Sequence, residues 1–153
     1  MVTGVQTCAL PIFSQRLTWD TLFPVCSPAL MARSPLKVAA DVAQHPLLHV
    51  LGYEEGWGYW LNMVGADTVD SSTGMQFDTL ICTLRMAELG QGIALARSSM
   101  VDEMLQDGRL VEPFAQRIEA SESFYLVRGS GADQHPDAVM FSTWLVEQAH
   151  RYK

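Results

Sequence analysis

The sequence predicts an α/β fold, and three observations predict it. Short apolar runs alternate with stretches of helical periodicity along most of the chain. One of those runs, GIALA at 92–96, has no polar residue on either face, the pattern of a strand buried on both sides in a parallel-type sheet. Ser-Pro pairs and single glycines stand where helices should start and stop.

Taken in order, TLFPVC (21–26) reads as a strand that runs into Ser27-Pro28, a polar cap followed by proline in the first helical turn. Ser34-Pro35 repeats that signal and predicts a second helix through about Ala43; PLLHVL (46–51) is the next strand. In GWGYWLNMVGA, Trp57, Trp60, Leu61 and Val64 fall at i, i+3, i+4 and i+7 and define one helical face. MQF (75–77) is a short strand. Helical periodicity then resumes after Asp78, turning Leu80, Leu84, Ala87 and Ile81 inward, until Gly90 ends it. GIALA follows, then a short helix MVDEMLQDG that Gly108 closes, then a strand over RLVEPF (109–114). SFYLVRG (123–129) is a further strand, GSGADQHP (129–136) a loop, and PDAVMFSTWLVEQAHRY (136–152) a terminal helix carrying Val139, Trp144, Leu145 and Ala149 on its apolar side.

The chain of 153 residues is long enough for one domain with a real core. Ten Lys and Arg against 17 Asp and Glu leave a net charge of −7, which repels a phosphate backbone and argues against this segment gripping nucleic acid by itself. No run reaches the roughly 18 apolar residues of a membrane helix. Cys26 and Cys82 sit among apolar neighbours and read as buried, reduced thiols; Cys8 makes the count odd. Glu54-Glu55 reads as a solvated loop pair.

Enzyme constellations do not assemble. His45 and His49 have zinc spacing only on a helix, and Pro46 stands between them. The glycines of GQG (90–92) and GSG (129–131) lack the rest of a dinucleotide fingerprint. No Gly-x-Ser-x-Gly elbow is present, and nothing pairs a cysteine with a histidine base. No catalysis, no metal and no cofactor are therefore expected.

The opening MVTGVQTCALPI has no Lys or Arg and a broken apolar run, which makes it a poor export leader. VTGVQTCALPI resembles a translated sequencing adapter, and residues 1–12 are expected to have no part in the fold.

Six spaced blocks carry a further resemblance: LFPVCSPAL (22–30), HPLLHV (45–50), WGYWLNMVGA (57–66), FDTLICTLRMAELGQGIALAR (77–97), LQDGRLVEPF (105–114) and FYLVRG (124–129). Together, in this order, they resemble the effector-binding domain of LysR-type transcriptional regulators, in the branch of the glycine cleavage activator. The resemblance implies a Rossmann-like lobe of the type 2 periplasmic-binding-protein fold. It casts residues 21–120 as the second lobe and 121–153 as the strand and helix returning to a first lobe that is truncated here. It also implies a small-molecule effector, a homo-oligomer (dimer or tetramer) in the intact protein, DNA contact only through a helix-turn-helix domain outside this sequence, no membrane partner, and a cytoplasmic location. An extracytoplasmic solute-binding receptor of the same fold is the alternative.

Effectors of an open α/β sheet sit beyond the carboxyl ends of its strands, where helix N-termini offer free N–H groups. The expected effector-binding residues are accordingly Ser27, Phe77, Asp78 and Thr79 at strand-to-helix junctions, with Trp57 and Tyr125 as walls. Each has a structural reading beside the functional one: Ser27 and Asp78 as N-caps, Trp57 as helix packing, and Tyr125 as a core strand residue.

Overall fold

The computed structural model describes residues 13–129 and 135–150. In chain order the elements are β1 (Phe13–Arg16), β2 (Thr21–Val25), α1 (Pro28–Arg33), a 3-10 segment (Ala39–Gln44), β3 (Leu47–Val50), α2 (Trp57–Met63) and β4 (Met75–Phe77). They continue with α3 (Leu80–Glu88), β5 (Ile93–Arg97), α4 (Ser98–Gln106), β6 (Ile118–Glu119), β7 (Tyr125–Arg128) and α5 (Pro136–His150). The chain divides into two units, one comprising Asp20–Glu122 and the other drawn from the segments on either side of it.

In the larger unit five strands form one sheet in the order β4-β3-β5-β2-β6. The first three run parallel, whereas β2 lies antiparallel to β5 and β6 antiparallel to β2. The GIALA run is therefore parallel to one neighbour and antiparallel to the other, since burial on both faces is a property of the sandwich and does not fix strand direction.

Strand alternation sorts the core into two layers. Leu22, Cys26, Leu47, Ile93 and Leu95 join Leu30 of α1, Val42 of the 3-10 segment and Trp57, Trp60 and Leu61 of α2. The intervening residues Phe23, Val25, Leu48, Ala94 and Ala96 join Leu80, Leu84 and Ala87 of α3 with Val101 and Met104 of α4. A period of two in the strands thus places helices on both faces.

Helix ends obey local chemistry. The Ser27 hydroxyl accepts the Leu30 N–H and Pro28 opens α1, as Ser-Pro predicts. Gly90 and Gly108 hold φ of 72° and 69° after α3 and α4, the left-handed stop that a side chain resists. Gly92 matters for a different reason: a Cβ there would lie 2.3 Å from the Pro46 carbonyl oxygen, which accepts the Ile93 N–H at 3.0 Å. Gly92→Ala should therefore push β5 off β3 and cost about 1–3 kcal/mol as overpacking, a loss that urea denaturation with unchanged m-value would register.

Several expectations need correction. The helix placed at 35–43 begins only at Ala39 and is 3-10, and Ser34 is the C-cap of α1. RLVEPF is not a strand; only Val111 bridges, to Cys26, while Phe114 is spent as core filling. Cys26 is buried and its thiol is pushed up to about 11 by desolvation, but Cys82 is exposed, because α3 turns it away from the sheet. Ile81 is exposed too, and Thr83 takes the inward position.

In the smaller unit β1 pairs antiparallel with β7, Phe13 opposite Arg128 and Arg16 opposite Tyr125. The Arg128 guanidinium lies 4.4 Å from the centre of the Phe13 ring. On α5, Val139 and Trp144 are exposed and Leu145 half-buried. The readings of residues 1–12 as adapter-derived, of Cys8, and of most of the 129–136 loop lie outside the described residues, as does the predicted last turn of α5 at 151–152.

Candidate functional site

Register decides where a site can form in the larger unit. Val50 pairs with Phe77 and Leu22 with Arg97, so the carboxyl ends of β3, β4 and β5 share one edge with the amino end of β2. A cavity of about 40 Å³ opens at this edge. Its apolar wall comes from Leu22, Leu48, Val50, Leu80 and Leu95 with Trp57; its polar side comes from His49, Tyr53, Glu55 and Arg97.

The polar side is a buried charge cluster. The Arg97 side chain is 3% exposed at the end of β5, where four apolar residues precede it. One guanidinium nitrogen donates to the Glu122 carbonyl at 3.0 Å, and the other meets the Glu122 carboxylate directly and lies 3.6 Å from that of Glu55. The Tyr53 ring covers the guanidinium, 4.5 Å from its centre. The Glu55 carboxylate is itself held by backbone, accepting the Ser121 N–H at 2.7 Å and the Glu122 N–H at 3.4 Å. Burial raises the pKa of this carboxyl, yet hydrogen bonds from Ser121 and Glu122 together with the Arg97 charge outweigh it and hold the group below its ordinary value.

The six expected site residues fall into four groups. Trp57 lines the cavity, but its indole N–H is committed to the Leu48 carbonyl at 3.1 Å, so it offers a wall and not a polar tip. Phe77, Asp78 and Thr79 lie at the same sheet edge, one turn from Leu80. Ser27 does not: β2 runs against β5, Val25 pairs with Ala94, and the Ser27 hydroxyl faces Gly90 at the opposite edge. The concavity there, about 360 Å³ between Leu30, Arg33, His45 and Gln91, holds no buried charged side chain. Tyr125 belongs to the smaller unit, where it is exposed on β7 and not a core residue.

Asp78 is not the N-cap of α3. Thr79 is, its hydroxyl accepting the Cys82 N–H at 3.3 Å, while Asp78 stands exposed one residue earlier. Thr79→Ala should lower stability by about 0.5–2 kcal/mol, as loss of a cap does, and Asp78→Ala should leave the thermal midpoint nearly unchanged.

Arg97, Glu55, Tyr53 and Glu122 were not expected from the sequence. Glu55, taken for a solvated charge, is buried. A signal existed for Arg97, a lone cation closing an otherwise apolar strand. For Glu55 and Glu122, 67 positions apart along the chain, none existed. Among the described residues no group of three His, Cys, Asp or Glu is placed to hold a metal, and no helix is long and apolar enough to cross a membrane.

The family model of the LysR substrate binding domain matches residues 11–150. The chain is 32% identical over 136 residues to the glycine cleavage system transcriptional activator of Escherichia coli (strain K12), covering 88% of this chain and 44% of that protein. It is 30% identical to the HTH-type transcriptional activator AmpR of Citrobacter freundii, covering 90% and 46% respectively. The chain thus spans less than half the length of these curated relatives. In three dimensions it resembles the AmpR effector binding domain from Citrobacter freundii, with a TM-score of 0.79 at 29% identity over 92% of this chain and 68% of that one. The effector domain of AmpR of Pseudomonas aeruginosa gives 0.76 at 27%, over 91% and 65%.

Proposed function

The chain belongs to the LysR substrate-binding-domain family, and from that premise we propose that it is the effector-sensing module of a bacterial transcriptional regulator. A small molecule enters the cavity at the carboxyl edge of β3 and β5, and its differential affinity for two conformations shifts their populations. The observation that carries this reading is the cavity with Arg97 buried in its wall, at the sheet edge where ligands of open α/β sheets bind. Of the residues expected from sequence, Trp57 supplies the wall, and Phe77, Asp78 and Thr79 the rim. Tyr125 lies in the smaller unit and is not assigned to this cavity, and Ser27 is left out because it lies at the far edge.

In the intact protein the signal passes to a DNA-binding helix-turn-helix domain through a homo-oligomer, in the cytoplasm. The net charge of −7 supports leaving DNA contact to that other domain. The curated relatives are transcriptional activators, and the module performs no catalysis of its own. Residues 21–120 form the second lobe and 121–153 return to the first, a division supported by the boundaries of the contact units at Asp20 and Glu122.

Sequencing the native locus upstream of the codon for Phe13 tests the class without knowledge of the effector. An in-frame helix-turn-helix segment is the expected result. An export leader with no DNA-binding segment would overturn it in favour of a solute receptor.

A further inference from the structure

We infer that the cavity takes a small monocarboxylate with an apolar body, whose carboxylate displaces the Glu122 side chain from Arg97. This deepens the effector-sensing reading and rests on it for the location of the site.

The two carboxylates near Arg97 are not equivalent. Glu55 has a side chain 6% exposed, stands 3.6 Å from the guanidinium and is saturated by two backbone N–H groups, so its place is fixed. Glu122 is 31% exposed and makes the direct contact. Beyond Arg97, its carboxylate has the long 3.3 Å bond from the Glu54 N–H. Its backbone is anchored independently, through its carbonyl to Arg97 and its N–H to Glu55, so the side chain can leave while the chain stays put.

Charge selects the class of ligand. Arg97 with Glu55 and Glu122 sums to −1, and exchanging the Glu122 carboxylate for a ligand carboxylate leaves that sum unchanged inside the cavity. A neutral ligand cannot replace an ionised partner of a buried guanidinium, which would be left uncompensated. A cation would have to stand beside Arg97, and the carboxylate it could pair with, Glu55, is already occupied. Tyr53 covers the guanidinium, and the nitrogen that the Glu122 carboxylate vacates is left to donate to the ligand carboxylate. Size follows from the cavity: about 40 Å³, plus the space that the Glu122 carboxylate vacates, accommodates a short chain only. The body must be apolar because Leu22, Leu48, Val50, Leu80 and Leu95 make up most of the wall, the Trp57 indole N–H is bonded to the Leu48 carbonyl and the His49 Nε2 pairs with the Thr73 carbonyl.

The test uses the whole 153-residue chain, with tryptophan emission (Trp57 lies in the wall) and thermal midpoint as readouts. The probes are propanoate, butanoate and 3-methylbutanoate, each beside its uncharged amide and the amine of the same carbon skeleton. The acids should bind and the amides and amines should not. Glu122→Gln removes the competing carboxylate and should tighten the acids by about tenfold, the scale of one charge-assisted hydrogen bond. Glu122→Asp keeps the charge but shortens the reach, and should shift affinity in the same direction; it serves if the first variant folds poorly. Weaker acid binding in both variants, equal binding of acid and amide, or no acid binding up to tens of millimolar in any of the proteins overturns the inference. If an amine or neutral compound raises the midpoint instead, the carboxylate class falls while the sensing role stands.

Discussion

Arg97→Ala should destabilise the Asp20–Glu122 unit by about 3–5 kcal/mol, the loss expected when one partner of a buried ion pair is removed and the other keeps its charge. The loss is large because the Arg97 side chain is 3% exposed and binds the Glu122 carbonyl and carboxylate as well as facing Glu55, so its removal leaves that carbonyl without its donor and the 6%-exposed Glu55 with its amide partners alone. Urea denaturation at pH 7 measures it. The dependence on pH identifies the cause. In the wild type the folded-state pKa of Glu55 lies below its unfolded value, so its contribution is complete above the ordinary carboxylate range and is lost as pH falls below about 4.5 and on through the folded value. Without the Arg97 charge the folded value rises, and protonation relieves the stranded carboxylate. The cost of Arg97→Ala should therefore shrink on acidification, and Glu55→Gln in the same chain should recover part of it at pH 7. A cost independent of pH would mean that lost packing against Tyr53, and not the stranded charge, dominates.

How much of this was legible in the sequence depends on the range of the interaction. The strands at 21–25, 47–50, 75–77 and 93–97 and the helices after Ser27, Gly56 and Thr79 were readable, because apolar period, caps and glycine stops are set by neighbours a few residues away. RLVEPF fooled that reading. Its apolar residues serve the core one at a time, with Leu110 in one layer and Phe114 in the other, and no ladder forms beyond the Cys26 to Val111 bridge. Proline at position 35 suggested a helix start, but the chain uses the following residues as an extended connection with Leu36 buried.

The site was less legible than the fold. A junction rule that treats every strand-to-helix turn alike nominated Ser27 together with Phe77, Asp78 and Thr79. After the parallel strand β4 it puts Phe77, Asp78 and Thr79 at the cavity's edge, whereas Ser27 follows β2, which runs the other way, and stands at the opposite edge; strand direction is a pairing property that the residues of β2 do not encode. Glu55 was misread for a related reason. A Glu-Glu pair in a glycine-bearing loop looks solvated until Ser121 and Arg97 arrive from elsewhere in the chain to desolvate it.

Trp60→Ala should cost about 3–5 kcal/mol, the range for removing a large aromatic from a core. Trp60 is 0% exposed, meets Trp57 edge-on with ring centres 6.0 Å apart, and stacks on Phe114 at 6.2 Å. Phe114 comes from the segment that fails to make a strand, so this aromatic stack joins it to α2. The comparison that decides the physics is Trp60→Phe. The indole N–H of Trp60 has no hydrogen-bond partner among the described residues, so the native side chain carries a desolvation penalty of about 1–3 kcal/mol. Phenylalanine keeps most of the stacking, sheds that penalty, and leaves a smaller void than alanine does. Trp60→Phe should consequently cost less than half as much as Trp60→Ala in urea denaturation. Because Trp57 packs against Trp60 and lines the cavity, Trp60→Ala should also loosen that wall and quench or shift the Trp57 emission, whereas Trp60→Phe should preserve it. Equal costs for the two substitutions would show that the Trp60 indole N–H is hydrogen-bonded in solution and that its polarity, not its packing, had been misjudged.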